Sequence, residues 1–169
     1  MKKNILRNLI GAIVCLMSLS AMADNQIVIK DFAIKPGETK VVEVVAESDE
    51  PIRAFEVVFV LPEGLTIDTE RAQLTNRANG HSLSGRLTSK GYRFLAFSLN
   101  GDTFAGTDGV ILEVPVTASA DFAHSGVINA NDIVMENANG DALVDMGKAE
   151  SMAYIEVSAP TPTTTDNGD

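Results

Sequence analysis

The sequence predicts an all-β fold, a sandwich or barrel of about nine short strands, and three observations predict it. Short apolar runs with period-two alternation recur along the chain, separated by Gly, Pro, Asn and Asp at regular intervals. No stretch carries a convincing helical period, and no unit of roughly 20 to 50 residues repeats, which excludes a solenoid. The longest apolar run beyond the N-terminal region, Pro51–Ile67 (PIRAFEVVFVLPEGLTI), is β-branched and aromatic and is stopped by Pro62-Glu63-Gly64. A short apolar run alone fits a helix or a strand; this composition and this stop favour a strand.

The first residues read as a leader rather than as fold. Lys2, Lys3 and Arg7 form a positive region, Leu9–Leu19 an apolar run, and Ala21-Met22-Ala23 a small-x-small cleavage signature, so the mature chain is expected to begin at Asp24. The run is too short and wrongly flanked for a stop-transfer helix. Cys15 raises a lipoprotein signal as the rival, but Val14 stands where a lipobox needs a small residue, and the cysteine lies deep within the run. Export is therefore expected, to the periplasm, the cell surface or the extracellular medium, with no membrane insertion after cleavage. Residues 1–23 are assigned to the signal peptide, 24–158 to one domain and 159–169 to a tail.

Loss of Lys2, Lys3 and Arg7 takes the formal charge from −10 to −13. That balance argues against nucleic acid, whose binding needs cations to displace counterions, and against electrostatic binding to anionic lipid. The single cysteine leaves with the leader, so the mature chain has no disulfide, no thiolate nucleophile and no Cys metal site. A domain of about 146 residues can rest on its core alone.

Taken in order, Asn25–Ile34 (NQIVIKDFAI) is a first strand, with Ile27, Ile29 and Phe32 at apolar positions. Lys35-Pro36-Gly37-Glu38 turns it into Thr39–Glu47, which is β-branched and roughly alternating. After the acidic loop Ser48–Pro51 comes the long apolar strand. Phe55, Val57, Phe59 and Leu61 share one face, and Ala54, Glu56, Val58 and Val60 the other. Two largely apolar faces place this strand in the middle of a sheet. Leu65–Ile67 is a short strand, and Thr75–His81 (TNRANGH) is turn-rich around Asn79-Gly80. Ser82–Ser89 alternates strictly, with Leu83, Gly85 and Leu87 against Ser84, Arg86 and Thr88; Lys90-Gly91 turns it into Tyr92–Leu99. A loop holding Phe104 follows. Val110–Ser119 is a strand whose Pro115 lacks a ladder donor, so an edge strand or a bulge is expected there. Ser125–Val134 is a strand broken near Asn129–Asp132, Glu136–Asp141 a hairpin loop, and Ala149–Ser158 a last strand with Met152, Tyr154 and Ile155 at packing positions. The terminal PTPTTTDNGD cannot build a core and reads as a linker or tail.

With the strands laid out, Ile52–Ile67 resembles the third strand and following loop of cohesin-like modules of secreted bacterial proteins. Gly91–Ala118 (GYRFLAFSLNGDTFAGTDGVILEVPVTA) resembles their strand–loop–strand segment, and the Lys35–Thr39 turn is similar as well. The likeness spans most of Ile27–Val157, is shared with related carbohydrate-binding sandwiches, and runs toward exported proteins of the Bacteroides or Prevotella type. It implies a nine-stranded jelly-roll β-sandwich. It also implies a protein partner, because cohesins bind dockerins, small calcium-loop domains, through a relatively flat sheet face that includes the third, fifth, sixth and eighth strands. Asp166-Asn167-Gly168-Asp169 resembles the opening of a dockerin calcium loop, a match that chance composition also supplies.

The residues themselves carry little catalytic chemistry. His81 and His124 are the only histidines, and His81 stands beside Ser82 and Ser84. Strand neighbours do not form a nucleophile, base and orienting group, so both histidines read as surface or turn residues. Paired carboxylates for glycoside hydrolysis must face each other across a cleft, whereas the acids here are scattered through loops; no catalytic residue is assigned. Oxygen-rich loops at Asn100–Asp108, Asn129–Asp132 and Asn137–Asp145 suit calcium, which takes about six to eight oxygens. Yet Asn137–Asp141 carries its Gly too early for an EF-type loop, and Asx-Gly is what a tight turn requires. No cofactor is assigned.

Two functions remain. The first is a non-catalytic binding or scaffold module. With Phe55, Val57 and Phe59 turned inward, Ala54, Glu56, Val58 and Val60 face out. With Leu95, Phe97 and Leu99 inward on the Tyr92 strand, Phe94, Ala96 and Ser98 face out, and Arg86 joins them from the neighbouring strand. The expected partner-binding set is Ala54, Glu56, Val58, Val60, Arg86, Phe94 and Ala96, an apolar patch with a polar rim; the competing expectation is that a loop or a terminus covers this face. The second function is a carbohydrate-binding module beside a polysaccharide-degrading enzyme. The absence of Trp, with only Tyr92 and Tyr154 as tyrosines, speaks against a stacking platform for sugar rings.

Overall fold

Alternating apolar side chains bury one face of each strand, and two such faces closed on each other make the molecule a β-sandwich. The computed structural model describes residues 25–144 and 151–157, with backbone alone at 151–154. The segments read as signal peptide (1–23) and tail (159–169), and the packing expected of Met152 and Tyr154, lie outside the described residues. The elements are β1 (Gln26–Ile29), β2 (Phe32–Ile34), β3 (Thr39–Glu47), β4 (Ile52–Val60), β5 (Leu65–Ile67), β6 (Gln73–Leu74), β7 (Ser82–Thr88), β8 (Gly91–Phe97), β9 (Asp108–Ala118), β10 (Gly126–Asn137) and β11 (Ser151–Val157). One sheet runs β1-β3-β9-β5, with β6 also on β9; the other runs β2-β11-β10-β4-β8-β7. No described residue is helical.

Strand β4 lies inside the six-stranded sheet, as its two apolar faces predict. Phe55, Val57 and Phe59 are fully buried with Phe94, Ile128 and Met135 of the flanking strands. The Phe59 and Phe94 rings meet at 5.9 Å and the Phe55 and Phe104 rings at 5.7 Å, both tilted, the geometry that aromatic quadrupoles favour. Phe104 is held over β4 by its own amide, which donates to the Ile52 carbonyl at 2.8 Å. Arg77 fixes the rest of that loop by donating to the carbonyls of Ala105, Gly106 and Gly109.

Three details differ from the expectation. The first strand divides: β1 pairs with β3 in one sheet, while β2 pairs in parallel with β11 in the other, so the chain crosses between sheets at Lys30-Asp31. Pro115 lies in β9, which is hydrogen-bonded on both sides, opposite Val41 of β3. Its carbonyl accepts from Asp68 N at 3.0 Å, where the chain leaves β5 before β6 begins. The missing donor therefore points at that interruption, a local edge inside a central strand. Strand β10 is continuous through Asn129–Asp132 and absorbs the irregularity as a bulge between Asn131 and Val134, with Asp132 at φ 50°.

The two-residue turn Ser89-Lys90 joins β7 to β8 by pairing Thr88 with Gly91. Gly91 has φ +133°, and a Cβ there would collide with the backbone carbonyl of Phe59 on β4. Gly101, at φ +80°, has nothing within 4 Å of the corresponding position. Replacing Gly101 by Ala is expected to cost about 1–2 kcal/mol, the penalty for the left-handed region alone. Gly91→Ala is expected to cost about 3 kcal/mol or more, because backbone must also move. Urea unfolding of the two variants measures the difference; equal losses would contradict the close packing of the β7–β8 turn on β4.

Candidate binding face

Register decides which side chains share the outer face of the six-stranded sheet, because residues directly opposite on neighbouring strands project to the same side. Strand β8 sets Phe97 opposite Ala54, Leu95 opposite Glu56 and Arg93 opposite Val58. Strand β7 adds Ser82 beside Phe97, Ser84 beside Leu95 and Arg86 beside Arg93. On the other flank β10 sets Glu136 opposite Ala54, Val134 opposite Glu56, Asn131 opposite Val58 and Asn129 opposite Val60. The result is a stripe of half-buried apolar residues, Ala54, Leu95, Phe97 and Val134, between a hydroxyl and arginine row on β7 and an asparagine row on β10. Among the described residues no element packs on this side.

Ala54, Glu56, Val60 and Arg86 thus lie on the outer face. Phe94 and Ala96 do not, and this corrects the orientation expected for their strand. Both are fully buried, since Phe94 is opposite Val57 and Ala96 opposite Phe55. The Phe94 ring covers Gly85, where a Cβ would sit 2.7 Å from it. Leu95 and Phe97 occupy the outer face instead, and Leu99, expected inward, is 86% exposed beyond the end of β8. Val58 points outward yet is only 3% exposed and stands apart from the core cluster. Lys90 in the β7–β8 turn donates to Asp132 of β10 at 2.7 Å. Because β4 lies between β8 and β10 and its inner side is core, this exposed bridge spans the outer side of β4 near Val58.

Charge on the face is largely paired internally. Arg93 grips Glu56 through two parallel hydrogen bonds, one of them Nε to Oε1 at 2.7 Å. That carboxylate, by hydrogen bonding and by charge, raises the Arg93 guanidinium pKa above its ordinary value. Arg53 meets Glu136 at 3.1 Å. The sequence singled out Glu56 and Arg86 but missed Arg93, Leu95, Phe97, Val134, Asn129 and Asn131. The signal was present: Arg93 has the same parity as Leu95 and Phe97, and a cation cannot enter a dry core unpaired.

Of the three oxygen-rich segments weighed for calcium, Asn129–Asp132 lies in β10 with its bulge, and the other two hold turns. Asn137 Oδ1 accepts the amides of Asn139 and Asp141 at 2.9 Å each, and Asn137 Nδ2 donates to Glu50 at 3.1 Å. Ser98 Oγ likewise binds the Asp102 carboxylate and accepts the Asp102 amide. Among the described residues no three His, Cys, Asp or Glu side chains gather as metal ligands. His124 lies in the loop between β9 and β10, lining an open cleft of about 350 Å³ with Glu63, Asp121 and Phe122. Tyr92, one of the two tyrosines in the chain, is partly buried and packs against the core.

His81 is locked in one tautomer. Its Nε2 lies 3.0 Å from the Arg53 carbonyl, which can only accept, and its Nδ1 lies 3.2 Å from the Asn79 amide, which can only donate. The ring is therefore neutral with the proton on Nε2, and it stacks at 3.9 Å on Phe104.

With the geometry in place, no protein-family model matches the chain, and no curated protein matches it in sequence. Solved structures match it in fold. The non-cellulosomal cohesin of the hyperthermophilic archaeon Archaeoglobus fulgidus aligns with a TM-score of 0.61 at 12% identity, over 79% of this chain and 91% of that one. The sixth cohesin of the Acetivibrio cellulolyticus scaffoldin B, solved in complex with a Cel5 dockerin, gives 0.61 at 14%, over 79% and 99%. The third ScaB cohesin of Ruminococcus flavefaciens, in complex with a group 1 dockerin, gives 0.56 at 23%, over 83% and 99%. The fold is accordingly the jelly-roll sandwich of cohesin modules.

Burial pushes the His81 pKa below its ordinary value, against the pull of the Arg53 carbonyl and Asp102. As pH falls, the unfolded chain takes the proton first. His81 therefore contributes stability that is complete above about pH 6.5 and is lost as pH falls from there toward the folded pKa. An NMR titration is expected to find His81 as the Nε2–H tautomer at pH 7 with a midpoint below about 6.5. A midpoint above that value would contradict the locked geometry.

Proposed function

We propose that this chain is an exported, non-catalytic recognition module that docks a protein partner, a dockerin, on the outer face of its six-stranded sheet. One observation carries the proposal. Counting β1 with β2 as one interrupted strand and β5 with β6 as another, the third, fifth, sixth and eighth strands are β4, β7, β8 and β10. These four are contiguous as β10-β4-β8-β7, and their outer side is an apolar stripe with polar flanks that no described element covers. Such a stripe, rimmed by polar groups, is the anatomy of a docking surface. The fold likeness to cohesins solved with dockerins supports the choice of partner class.

A binding role also fits the chemistry of the candidate residues. The Glu56 carboxylate is committed to Arg93, and the His81 nitrogens are committed to backbone groups, so neither is set to move a proton. The leader at Lys2–Ala23 supports action in the periplasm, at the cell surface or outside the cell.

Leu95 is the substitution that tests the face, because it is half-buried at its centre and outside the core cluster. Calorimetric titration against a panel of calcium-loaded dockerins is expected to find a binder. Leu95→Asp should weaken it by about thirtyfold or more, the loss typical of a central interface residue. Val41→Asp, on the exterior of the other sheet, should leave binding unchanged with both variants folded by circular dichroism. An empty panel, or loss with Val41→Asp but not with Leu95→Asp, would overturn the proposal.

A further inference from the structure

We infer that the partner docking on this face presents a carboxylate side chain to Arg86; the inference rests on the outer face of the six-stranded sheet being the docking surface. Arg86 is exposed on edge strand β7, directly opposite Arg93. Like charges placed opposite each other destabilise a sheet. Here Glu56 neutralises Arg93 from the other side, and Arg86 is left uncompensated. The remaining carboxylates of the face are taken as well: Glu136 by Arg53 and Asp132 by Lys90. Among the described residues Arg86 itself has no hydrogen-bond or ion-pair partner, so the face holds one guanidinium with its fork of donors free.

The charge on the other side of the sandwich sharpens this. The five-stranded sheet sets Glu43 opposite Glu113 and Glu47 opposite Asp108. Arg77 offsets Asp108, but Glu43 and Glu113 form no ion pair among the described residues, so an anionic partner surface is disfavoured there and received by the β7–β8 side of the other exterior. Charge of this kind selects orientation and raises the association rate more than it adds affinity. A carboxylate suits the position because a planar guanidinium binds it through two parallel hydrogen bonds. Beside Arg86 the apolar stripe begins at Leu95, one strand inward. The partner's carboxylate is thus expected at the rim of its own apolar contact patch.

Two titrations test this on the folded chain. Hexaglutamate peptide, followed by NMR in 50 mM NaCl, is expected to shift the Arg86 side-chain Nε–H and the β7 amides, and not Arg71, whose guanidinium is held by Asp68. The shifts should vanish in Arg86→Ser and shrink at 500 mM NaCl. Arg86 responding no more than Arg71 would overturn the inference. With a dockerin that binds, Arg86→Glu is expected to weaken affinity at least tenfold, and reversal of one partner acid to Arg should recover it. Binding abolished by Leu95→Asp but unchanged by Arg86→Glu would overturn the carboxylate contact while leaving the docking face standing. Selective Arg86 shifts with hexaglutamate and no dockerin bound would overturn the dockerin and keep the anion site. A dimer by light scattering that Arg86→Glu dissolves would make the occupant a second copy of this chain, and would overturn a separate partner.

Discussion

A strand hydrogen-bonded on both edges and buried on one side has a single row of side chains left for the surface, and β4 is held under that constraint. Val57 is fixed opposite Phe94, Phe55 opposite Met135 and Ala96, and Phe59 opposite Ala130 and Tyr92. Once these fill the space between the sheets, a slip of one residue in any flanking strand would carry a charge into the core and Phe or Met into water. The outer row therefore follows from the inner one. Glu56 and Val58 are placed, and Arg93, Leu95, Asn131 and Val134 are placed beside them, by the packing of residues on the opposite side of the same backbone.

The same constraint explains how a strongly acidic chain builds a face that is not acidic. Register brings Arg93 within reach of Glu56 and lets Lys90 and Arg53 meet carboxylates on β10. On the other sheet the register sets carboxylates opposite carboxylates. Exposed ion pairs of this kind contribute little to stability, so their consequence is electrostatic shape: Arg53, Arg86, Lys90 and Arg93 lie on one exterior, while on the other Glu43 faces Glu113. Val58, on the same side as Arg93, is only 3% exposed and offers little open contact area.

Much of this was legible in the sequence. The period-two runs gave the strands, Pro62-Glu63-Gly64 ended β4 as expected, and the two apolar faces of β4 placed it inside a sheet. The alternation of β7 gave the correct exterior, Ser84, Arg86 and Thr88. Strand β8 defeated the same reasoning because YRFLAFSL is apolar in both parities, and parity alone leaves open which row fills the core. What decides is pairwise and non-local: the Ser89-Lys90 turn pairs Arg86 with Arg93, and Phe94 fills the space that Gly85 leaves. Local patterns also cannot show that β2 leaves its sheet, or that Pro115 points its missing donor at a break between two short strands. Both depend on which strands become neighbours.

The central claim is that one exterior of the sandwich, β10-β4-β8-β7, is the recognition surface. The most direct test is an NMR chemical-shift map of the isotope-labelled chain, free and saturated with a calcium-loaded dockerin that binds it. The shifts are expected to concentrate on Ala54, Glu56, Arg86, Leu95, Phe97 and Val134, leaving Val41, Glu43 and Glu113 unmoved. Shifts centred instead on the exterior of the five-stranded sheet, or on the loop carrying His124, would contradict it.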